Sequence, residues 1–298
     1  MTCPTLSILI PSHNRLNVIE RVWASWMKQD GLIDVVLVND GSSQDYAKLH
    51  NSIGEACAAQ GIRFHLINLP ARRGAPAARN RGILECLGEE ILTVDDDIIL
   101  ADDLVRTCRL FRPSGKSVVT GPKVIYLRDG ETTTQAIERT KPDASLPYMD
   151  MGRLLLTPWA GDGKAIRVPF ITSIALWPRD LFQKGLRYFE GYEGNGFREE
   201  TDPQVQAQMR YEASVYLIPA SFCFHLPLAL AYADGGGQRR HGILWYEYWA
   251  IRNNAVFWMR NRKFLEEQWN VCSLRSQMKF VWHRLHVRRL INLLKNNS

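Results

Sequence analysis

The sequence predicts an α/β fold in which a mostly parallel sheet is flanked by helices and followed by a C-terminal helical segment. Short runs rich in Ile, Leu and Val alternate with helical patterns over roughly the first 125 residues, which is typical of strand–helix–strand units. These runs are almost continuously apolar, as expected for strands that are buried on both faces. From about residue 235 onward the apolar residues follow a helical period instead.

The elements can be read in chain order. The predicted strands of the first part are "LSILIP", "IDVVLVND", "IRFHLINL", "EILTV" and "SVVTGPKVIY". Helical patterns cover residues 17–28 and 45–59, a helix begins at "GAPAARNRGILECL", and a short helix follows residue 101. The strand "PFITSIALW", a helix that extends to Arg210 and the strand "ASVYLIP" follow later. Between them, residues 127–168 have a Gly-, Pro- and Thr-rich pattern that predicts a long binding loop over the sheet edge.

Composition restricts the class of protein without selecting a function. A formal charge of +6 over 298 residues suits an anionic ligand, a nucleic acid or an acidic membrane surface. The six cysteines are scattered with no CxxC pair, which predicts reduced thiols and a cytoplasmic setting. We see no signal-peptide pattern, and "GILWYEYWAI" is broken by Glu247 and too short to span a bilayer. A secreted or integral membrane protein is therefore not expected.

Polar clusters follow three of the predicted strands. They are "PSHNR" after the first strand, "NDGSS" after the second and Asp95, Asp96 and Asp97 after "EILTV". Each could be an ordinary turn. Ligands of open parallel sheets bind outside the carboxyl ends of the strands, so three clusters at that edge predict a binding site.

The run of three aspartates needs an explanation because adjacent like charges repel. An acidic turn in water is one interpretation, and helix capping by the nearby Asp102 or Asp103 is another. The third is a divalent cation bound by carboxylate oxygens.

The segment "RRGAPAARNRG" has features that suit a phosphate group. Gly74 permits close approach, Pro76 suits a helix start, and Arg72, Arg73 and Arg79 supply positive charge. A plain basic helix start is the alternative. No G-x-G-x-x-G follows a strand and no Walker lysine motif occurs, so dehydrogenase and P-loop functions are disfavoured.

The ordered set "SILIPSHNR", "VNDGSS", "RGAPAARNRGI", "LTVDDD", "REETD" and "RNNAVFW" resembles the inverting family-two glycosyltransferases with a GT-A fold, over roughly residues 5–260. The resemblance implies that Asp40 holds the nucleotide base, with Pro11 and Arg15 beside it, and that Arg79 and Asn80 border the donor pocket. The full set of donor-binding residues that it implies is Pro11, Arg15, Asp40, Gly41, Arg73, Arg79, Asn80, Asp95 and Asp96.

The same resemblance implies a metal site and a catalytic base. Asp95 and Asp97 would form the D-x-D element, with Asp97 binding Mn²⁺ or Mg²⁺ and Asp96 facing the ribose or sugar. His225, just past "VYLIP", matches a histidine that ligates the metal or contacts the diphosphate in some GT-A enzymes, although a structural histidine is the alternative.

The acidic motif "FREETDPQVQAQMR" offers Glu199, Glu200 and Asp202 as catalytic candidates. The similar enzymes usually read Glu-Asp-x-Asp here, with the second residue as the base. That position is Glu200 in this chain, one methylene longer than aspartate. For Asp202 the alternative is a first-turn carboxylate that the helix dipole stabilises. The usual Gly-Gly-Phe-Asp-Glu before this motif is replaced by "GLRYFE", so the resemblance does not identify the acceptor.

The C-terminal segment predicts packing and a possible membrane contact. Trp245, Trp249, Val256 and Met259 share one helical face that we expect to pack, and the Arg252–Asn253 pair is expected to be structural. The final residues place Val287, Leu290, Ile291 and Leu294 at helical spacing among arginines and lysines. That pattern favours an anionic membrane surface or packing on the main domain.

Together these patterns predict an inverting, metal-dependent glycosyltransferase. Residues 1–125 would bind a nucleotide-diphosphate sugar, with UDP favoured, residues 126–234 would bind the acceptor and catalyse transfer, and residues 235–298 would be helical. The acceptor could be a glycan, a lipid-linked sugar, a protein or a small molecule, and no nucleic-acid partner is expected. The expected location is the cytoplasm, with possible contact to the inner face of the membrane.

Two other functions fit the sequence less well. A nucleotidyltransferase normally has a Gly-rich phosphate loop after its first strand, which "PSHNRLN" lacks. A non-catalytic nucleotide-sugar-binding protein would not need both the aspartate run and "REETD".

Overall fold

The computed structural model describes residues 3–115, 117–140, 147–157, 164–231 and 242–285. The strands are β1 (Leu6–Ser12), β2 (Leu32–Asn39), β3 (Arg63–Asn68), β4 (Glu90–Thr93), β5 (Ile98–Leu100), β6 (Val118–Tyr126), β7 (Met149–Asp150), β8 (Leu155–Leu156), β9 (Ile166–Arg167), β10 (Ala175–Pro178) and β11 (Ser214–His225). The helices are α1 (Leu16–Trp26), α2 (Glu55–Ala59), α3 (Ala75–Ile83), α4 (Leu104–Leu110), α5 (Thr133–Arg139), α6 (Arg179–Gln183), α7 (Asp202–Tyr211), α8 (Leu228–Ala231), α9 (Ile243–Trp269) and α10 (Ser273–Arg284).

One large sheet forms the centre of the fold. Its strands lie in the order β3-β2-β1-β4-β10-β6-β11-β5, and β9 pairs with β11. Strands β3, β2, β1 and β4 are mutually parallel, as are β6 and β11. Strand β10 runs antiparallel between β4 and β6. The predicted α/β class is therefore confirmed, and the sheet is mixed because β10, β5 and β9 run antiparallel to their neighbours.

Apolar side chains cover both faces of this sheet. Along β1, Ile8 and Ile10 point into one core cluster and Leu9 into the other, as the alternation of side chains in a strand requires. Helix α1 packs Trp26 into the first cluster, and Phe257 of α9 packs into the second. Burial on both faces explains why the central strands are rich in Ile, Leu and Val.

The three polar clusters do meet at one edge of the sheet. The last residues of β1 and β2, Ser12 and Asn39, are paired neighbours, and Leu9 pairs with Thr93 at the end of β4. Because these strands are parallel, the segments that follow them leave the sheet on the same side.

The long predicted loop contains more regular structure than its composition indicates. Helix α5 begins with a capping box, in which Thr132 accepts a hydrogen bond from the Gln135 backbone N–H and Gln135 accepts one from the Thr132 backbone N–H. Strands β7 and β8 form a separate small sheet. Residues 141–146 and 158–163 of this loop lie outside the described residues.

Two further predicted elements differ from those observed. The helix predicted over residues 45–59 is a 3₁₀ turn (Tyr46–Lys48), a π turn (His50–Gly54) and then α2. Of the predicted strand "PFITSIALW", only the last three residues pair with neighbours, as part of β10 (Ala175–Pro178). The predicted division after residue 125 falls within β6, which shares the sheet with the earlier strands.

The packed face of α9 differs in part from the face that the sequence predicted, since Val256 packs against the core but Met259 does not. Met259 is 77 % exposed, so its assignment to the packing face was wrong. The buried side chains of α9 are Ala250, Asn253, Asn254, Phe257, Trp258, Asn261 and Leu265. Three of these are asparagines that bond to neighbouring segments, for example Asn253 Nδ2 to the Glu193 carbonyl at 2.7 Å. Hydrophobic periodicity does not detect a face that is buried through amide hydrogen bonds.

Three other sequence predictions concern the cysteines, membrane-spanning helices and the C-terminal apolar stripe. All six cysteines are free thiols, as predicted. Among the helices of the described residues, none combines the length and the apolar character needed to cross a membrane. The predicted apolar stripe from Val287 to Leu294 lies outside the described residues.

Candidate active site

The first of the three aspartates, Asp95, follows β4 and joins two distant segments. Its carboxylate accepts a hydrogen bond from Arg79 Nη2 of α3 at 2.8 Å and one from Ser173 Oγ at 2.5 Å. Asp95 therefore ties the end of β4 to α3 and to the segment before β10.

Asp96 is directed into the protein rather than toward an open cleft. It accepts a hydrogen bond from Ser12 Oγ at 2.6 Å, and Ser12 shares a further hydrogen bond with the Tyr46 hydroxyl. Burial raises the pKa of Asp96, and the charge of Arg15, 3.7 Å away, partly opposes that rise. The resemblance placed Asp96 toward a ribose or sugar, but here it lies against the end of β1.

Asp97 lies between an arginine and a histidine. Its Oδ2 accepts a hydrogen bond from Arg15 Nη1 at 2.8 Å and lies 3.4 Å from His225 Nε2. The pairing of His225 with Ile98 in the β11–β5 register explains this proximity. The Leu226 backbone N–H also donates to the Asp97 carbonyl at 3.0 Å.

The arginines change the explanation of the aspartate run. From the aspartate run alone, a cation was one of three interpretations, proposed because the three adjacent charges need compensation. In the structure Arg15 faces Asp96 and Asp97, and Arg79 faces Asp95. Charge compensation is therefore already present within the chain, and a metal site needs separate support.

His225 supplies that support through its tautomer. Its Nδ1 lies 2.6 Å from the Leu226 carbonyl, and a carbonyl only accepts, so Nδ1 carries the hydrogen. In the neutral ring the Nε2 lone pair then faces the Asp97 carboxylate at 3.4 Å. Two acceptors that face each other suit a shared cation, which can be a proton on Nε2 or a metal ion. Stacking on Tyr126, with ring centroids 4.7 Å apart, holds the imidazole in this orientation.

Only some of these side chains are placed to bind a divalent cation. Asp97 offers a carboxylate oxygen, the ligand type that suits both Mn²⁺ and Mg²⁺, and His225 offers a ring nitrogen. Asp95 is engaged by Arg79 and Ser173. Within the described residues, no three His, Cys, Asp or Glu side chains are already grouped around a common point. A cation would therefore bind mainly through Asp97 and His225 and take further ligands from solvent or substrate.

Arg79 connects the aspartates to the acidic motif before α7. The buried guanidinium contacts Asp95 through Nη2 and Glu199 Oε1 through Nη1, at 2.8 and 2.9 Å. Tyr188 packs against it, with the Arg79 Cζ atom 5.4 Å from the ring centroid. The sequence placed Arg79 near the donor; the structure makes it the bridge between two carboxylate groups.

Glu199 and Glu200 lie in different environments although they are adjacent. Glu199 is buried, burial raises its pKa to about 7, and its Oε2 has no hydrogen-bond partner among the described residues. Glu200 is half-buried, and burial also raises the pKa of its carboxyl group while Arg79 and Arg198 lower it. Of these two, Glu200 is the one that an incoming molecule can reach.

Arg198 was not a candidate in the sequence. It adopts a left-handed backbone with a φ of 77°, which is uncommon for a residue other than glycine. Its buried guanidinium donates to the Leu154 carbonyl at 2.8 Å and to Asn254 Oδ1 at 3.1 Å. The rings within cation–π distance are Phe170, Phe197, Phe257 and Phe280. These contacts fix the turn from which Glu199 and Glu200 project.

Asp202 has a structural environment. Its side chain is 0 % exposed and accepts hydrogen bonds from Arg260 at 3.0 and 3.2 Å, Asn261 at 2.8 Å and the Tyr192 hydroxyl at 3.1 Å. It lies in the first turn of α7, but Thr201 is the N-cap and its side chain makes no capping hydrogen bond. Asp202 therefore joins α7 to α9 and is enclosed, which disfavours a role as catalytic base.

We expect Asp202→Asn to destabilise the protein by about 2–3 kcal/mol, the scale of hydrogen bonds to a charged group. The substitution removes the negative charge opposite Arg260. Urea unfolding measures the loss. Glu193→Gln is the matched control, because Glu193 forms a more exposed pair with the same helix, through Arg252 at 3.2 Å, and should cost about 0.5 kcal/mol or less. Equal effects of the two variants would contradict the assigned role of Asp202.

Asp40, after β2, braces the start of α3. Its two carboxylate oxygens accept the backbone N–H groups of Arg73 and Gly74 at 2.7 and 2.8 Å. Gly41 has a φ of +63°, and a Cβ there would collide with the backbone of Ala71 and Arg72. The predicted helix start at Gly74 is confirmed, but the amide groups that a phosphate would use there donate to Asp40.

The other residues that the sequence predicted to bind the donor include Pro11, Arg73 and Asn80. Pro11 is buried within β1 beside Val38. The Arg73 side chain is exposed and pairs with Glu190 at 3.2 Å. Asn80 bonds to both the backbone N–H and the carbonyl of Tyr188, at 2.9 Å each. Arg73 and Asn80 thus hold the loop at 188–190 against α3.

The fold agrees with comparisons to known proteins. The model of the glycosyl transferase family 2 matches residues 7–163, which is more than half of the chain. The chain belongs to that family.

Curated relatives share only part of their length with this chain. An N-acetylglucosaminyltransferase of Rhizobium leguminosarum bv. phaseoli is 30 % identical over 151 residues, 50 % of this chain and 32 % of the relative. An uncharacterized glycosyltransferase of Haemophilus influenzae is 29 % identical over 104 residues, 35 % of this chain and 40 % of that protein. The matched region thus spans well under half the length of either relative.

Solved structures share the fold at low sequence identity. The mannosyltransferase PcManGT from Pyrobaculum calidifontis, in complex with GDP-Man and Mn²⁺, has a TM-score of 0.55 and 14 % identity, over 95 % of this chain and 69 % of that chain. S. aureus TarS 1-349 in complex with UDP-GlcNAc has a TM-score of 0.54 and 16 % identity, over 94 % and 71 %. The predicted GT-A fold is confirmed.

Proposed function

We propose that this protein transfers a sugar from a nucleotide-diphosphate sugar to an acceptor hydroxyl, with inversion at the anomeric carbon and with a divalent cation. The observation that carries the proposal is the connection of two acidic groups through one arginine. Arg79 contacts Asp95 at the end of β4 and Glu199 before α7, at 2.8 and 2.9 Å. A single displacement needs a charged region for the leaving group and a base on the other side of the sugar.

The donor is proposed to be a UDP-sugar. TarS is described with UDP-GlcNAc and GalNAc-T7 with UDP, GalNAc and Mn²⁺, whereas PcManGT is described with GDP-Man. The Rhizobium relative is named an N-acetylglucosaminyltransferase. On this proposal residues 1–125 hold the donor, residues 126–234 hold the acceptor and residues 235–298 support them.

Asp97 and His225 are the proposed cation ligands, because the carboxylate and the Nε2 lone pair face each other at 3.4 Å. Mn²⁺ or Mg²⁺ bound there would offset the negative charge that develops on the diphosphate as the glycosidic bond breaks. Arg15 contacts Asp97 at 2.8 Å and is the chain's own cation at this position. It would turn toward the diphosphate when Asp97 binds metal.

Glu200 is the proposed base. During transfer the bond from the anomeric carbon to the diphosphate oxygen breaks and a bond to the acceptor oxygen forms. The proton of the acceptor hydroxyl passes to the Glu200 carboxylate, and the nucleoside diphosphate leaves. Glu200 is favoured over Glu199 and Asp202 because both of those are buried and already hold arginine partners.

The pH dependence follows from the raised pKa of Glu200. The base acts only when deprotonated, and burial raises its pKa above the ordinary 4.5. Transfer should therefore fall as the pH decreases through an apparent pKa above 4.5, and this acidic limb should be absent from the residual rate of Glu200→Gln. Single-turnover rates across pH measure it. A limb that persists unchanged in Glu200→Gln would assign it to another group.

A donor panel tests the proposed function. Thermal shift with UDP-, GDP-, dTDP- and CMP-sugars, each with Mn²⁺, Mg²⁺ or a chelator, should identify a donor that stabilises the protein only with metal. Release of the nucleoside diphosphate from that donor then reports turnover. If no nucleotide sugar stabilises the protein under any of these conditions, the proposal is wrong.

A further inference from the structure

Helix α10 has an exposed apolar stripe. Leu274, Met278, Trp282 and Leu285 recur every three or four residues, so they lie along one side of the helix. Their side chains are 50 % to 68 % exposed. A tryptophan in such a row is typical of side chains that lie at a membrane–water interface.

Contacts on the opposite side of α10 determine which way the apolar stripe faces. Phe280 is buried against Phe197, with ring centroids 5.3 Å apart. Arg284 lies over both rings and pairs with Glu247 of α9 at 3.4 Å. Because these contacts anchor α10 to the domain, the apolar stripe points outward on a rigid support.

Positive charge borders the stripe. Arg275 and Lys279 follow Leu274 and Met278 by one residue each, which places them along its edge, and both are exposed. From residue 268 to residue 298 the sequence has no Asp or Glu, while Arg288, Arg289 and Lys295 add basic charge. Asp150 lies close to Lys279, but the helix itself carries no acidic residue. An apolar stripe bordered by Arg275 and Lys279 on such a helix complements an anionic lipid headgroup layer.

Two other occupants fit this charge pattern less well. Residues 286–298 are themselves basic and apolar without an acidic residue. If they covered the stripe they would bring like charges together. A second copy paired through the same stripe would face Arg275 and Lys279 with the same residues.

We propose that the outward face of α10, formed by Leu274, Met278, Trp282 and Leu285 with Arg275 and Lys279, docks this protein on an anionic lipid bilayer. The inference goes beyond the proposed sugar transfer and does not depend on it. Docking by this face would hold α9 and the domain at a fixed orientation to the bilayer.

Flotation of the full chain with vesicles tests the docking. Binding is expected to vesicles of phosphatidylcholine with phosphatidylglycerol, not to phosphatidylcholine alone, and to weaken as salt is added. Arg275→Gln combined with Lys279→Gln should weaken binding roughly 30-fold, about fivefold for each charge. Leu274→Ser combined with Met278→Ser should weaken it roughly tenfold or more.

Leu110→Ser is the matched control, since Leu110 is 75 % exposed at the end of α4, and it should leave binding unchanged. Unchanged binding in both α10 variants would overturn the proposal. It would do so even if removal of residues 286–298 alone abolished binding. Failure of the wild-type protein to bind anionic vesicles would overturn it as well. So would a dimer in sedimentation that the Leu274/Met278 variant disrupts. Trp282→Phe, with quenching by brominated lipid, checks contact independently of the other variants.

Discussion

Glu200→Gln is expected to lower the rate of sugar transfer by about 100- to 10,000-fold, the range for loss of a general base. Glutamine keeps the shape and most hydrogen bonds of the side chain but cannot accept the proton. Donor affinity should be nearly unchanged, because Glu200 lies in the acidic motif before α7 rather than among the aspartates after β4. Single-turnover transfer at saturating donor and acceptor, together with calorimetric donor binding, separates these two effects.

Two neighbouring variants control this experiment. Glu200→Asp keeps the carboxylate and should retain more of the rate than Glu200→Gln. Glu199→Gln removes the partner of Arg79 and should act on acceptor or donor affinity more than on the proton transfer. If Glu200→Gln kept a near-normal rate while Asp202→Asn folded but was inactive, the assignment of the base to Glu200 would be wrong.

Asp97→Ala is expected to weaken metal-dependent binding of the donor by roughly 100-fold, as for loss of a group that a metal site depends on. The reason is the contact with His225, since the two side chains face each other at 3.4 Å and share the proposed cation. Calorimetry of nucleoside diphosphate binding, with Mn²⁺ and with a chelator, measures the effect.

Asp102→Ala is the control for this change. Asp102 is a nearby carboxylate whose exposed side chain pairs with Lys28 at 3.0 Å, and its loss should leave donor binding unaltered. Equal donor affinity with and without chelator in the wild-type protein would remove the metal from the mechanism.

Local pattern was sufficient to predict the parallel part of the sheet and the position of its polar clusters. The strands are short apolar runs, and parallel pairing alone places the ends of β1, β2 and β4 at one edge. The proximity of Asp97 and His225 needed more information. It depends on the antiparallel pairing of β5 with β11, across more than a hundred residues of sequence. In the sequence, only the family resemblance indicated His225.

Interactions between distant segments account for what the sequence did not predict. Asp202 resembled a helix-start residue, but Arg260 and Asn261 of α9 enclose its carboxylate. Arg198 is an ordinary arginine in the sequence, and only the packed rings around it and its left-handed backbone reveal its position. No local period encodes such partners, because they are chosen by the packing of α9 on the sheet.

Anomalous diffraction from crystals soaked with Mn²⁺ and UDP tests the central claim most directly. One manganese peak is expected in coordination contact with Asp97 and His225, with the diphosphate attached to it and Arg15 moved away from Asp97. Manganese bound to other residues, or UDP bound at this edge of the sheet without manganese, would show that the proposed metal site is wrong.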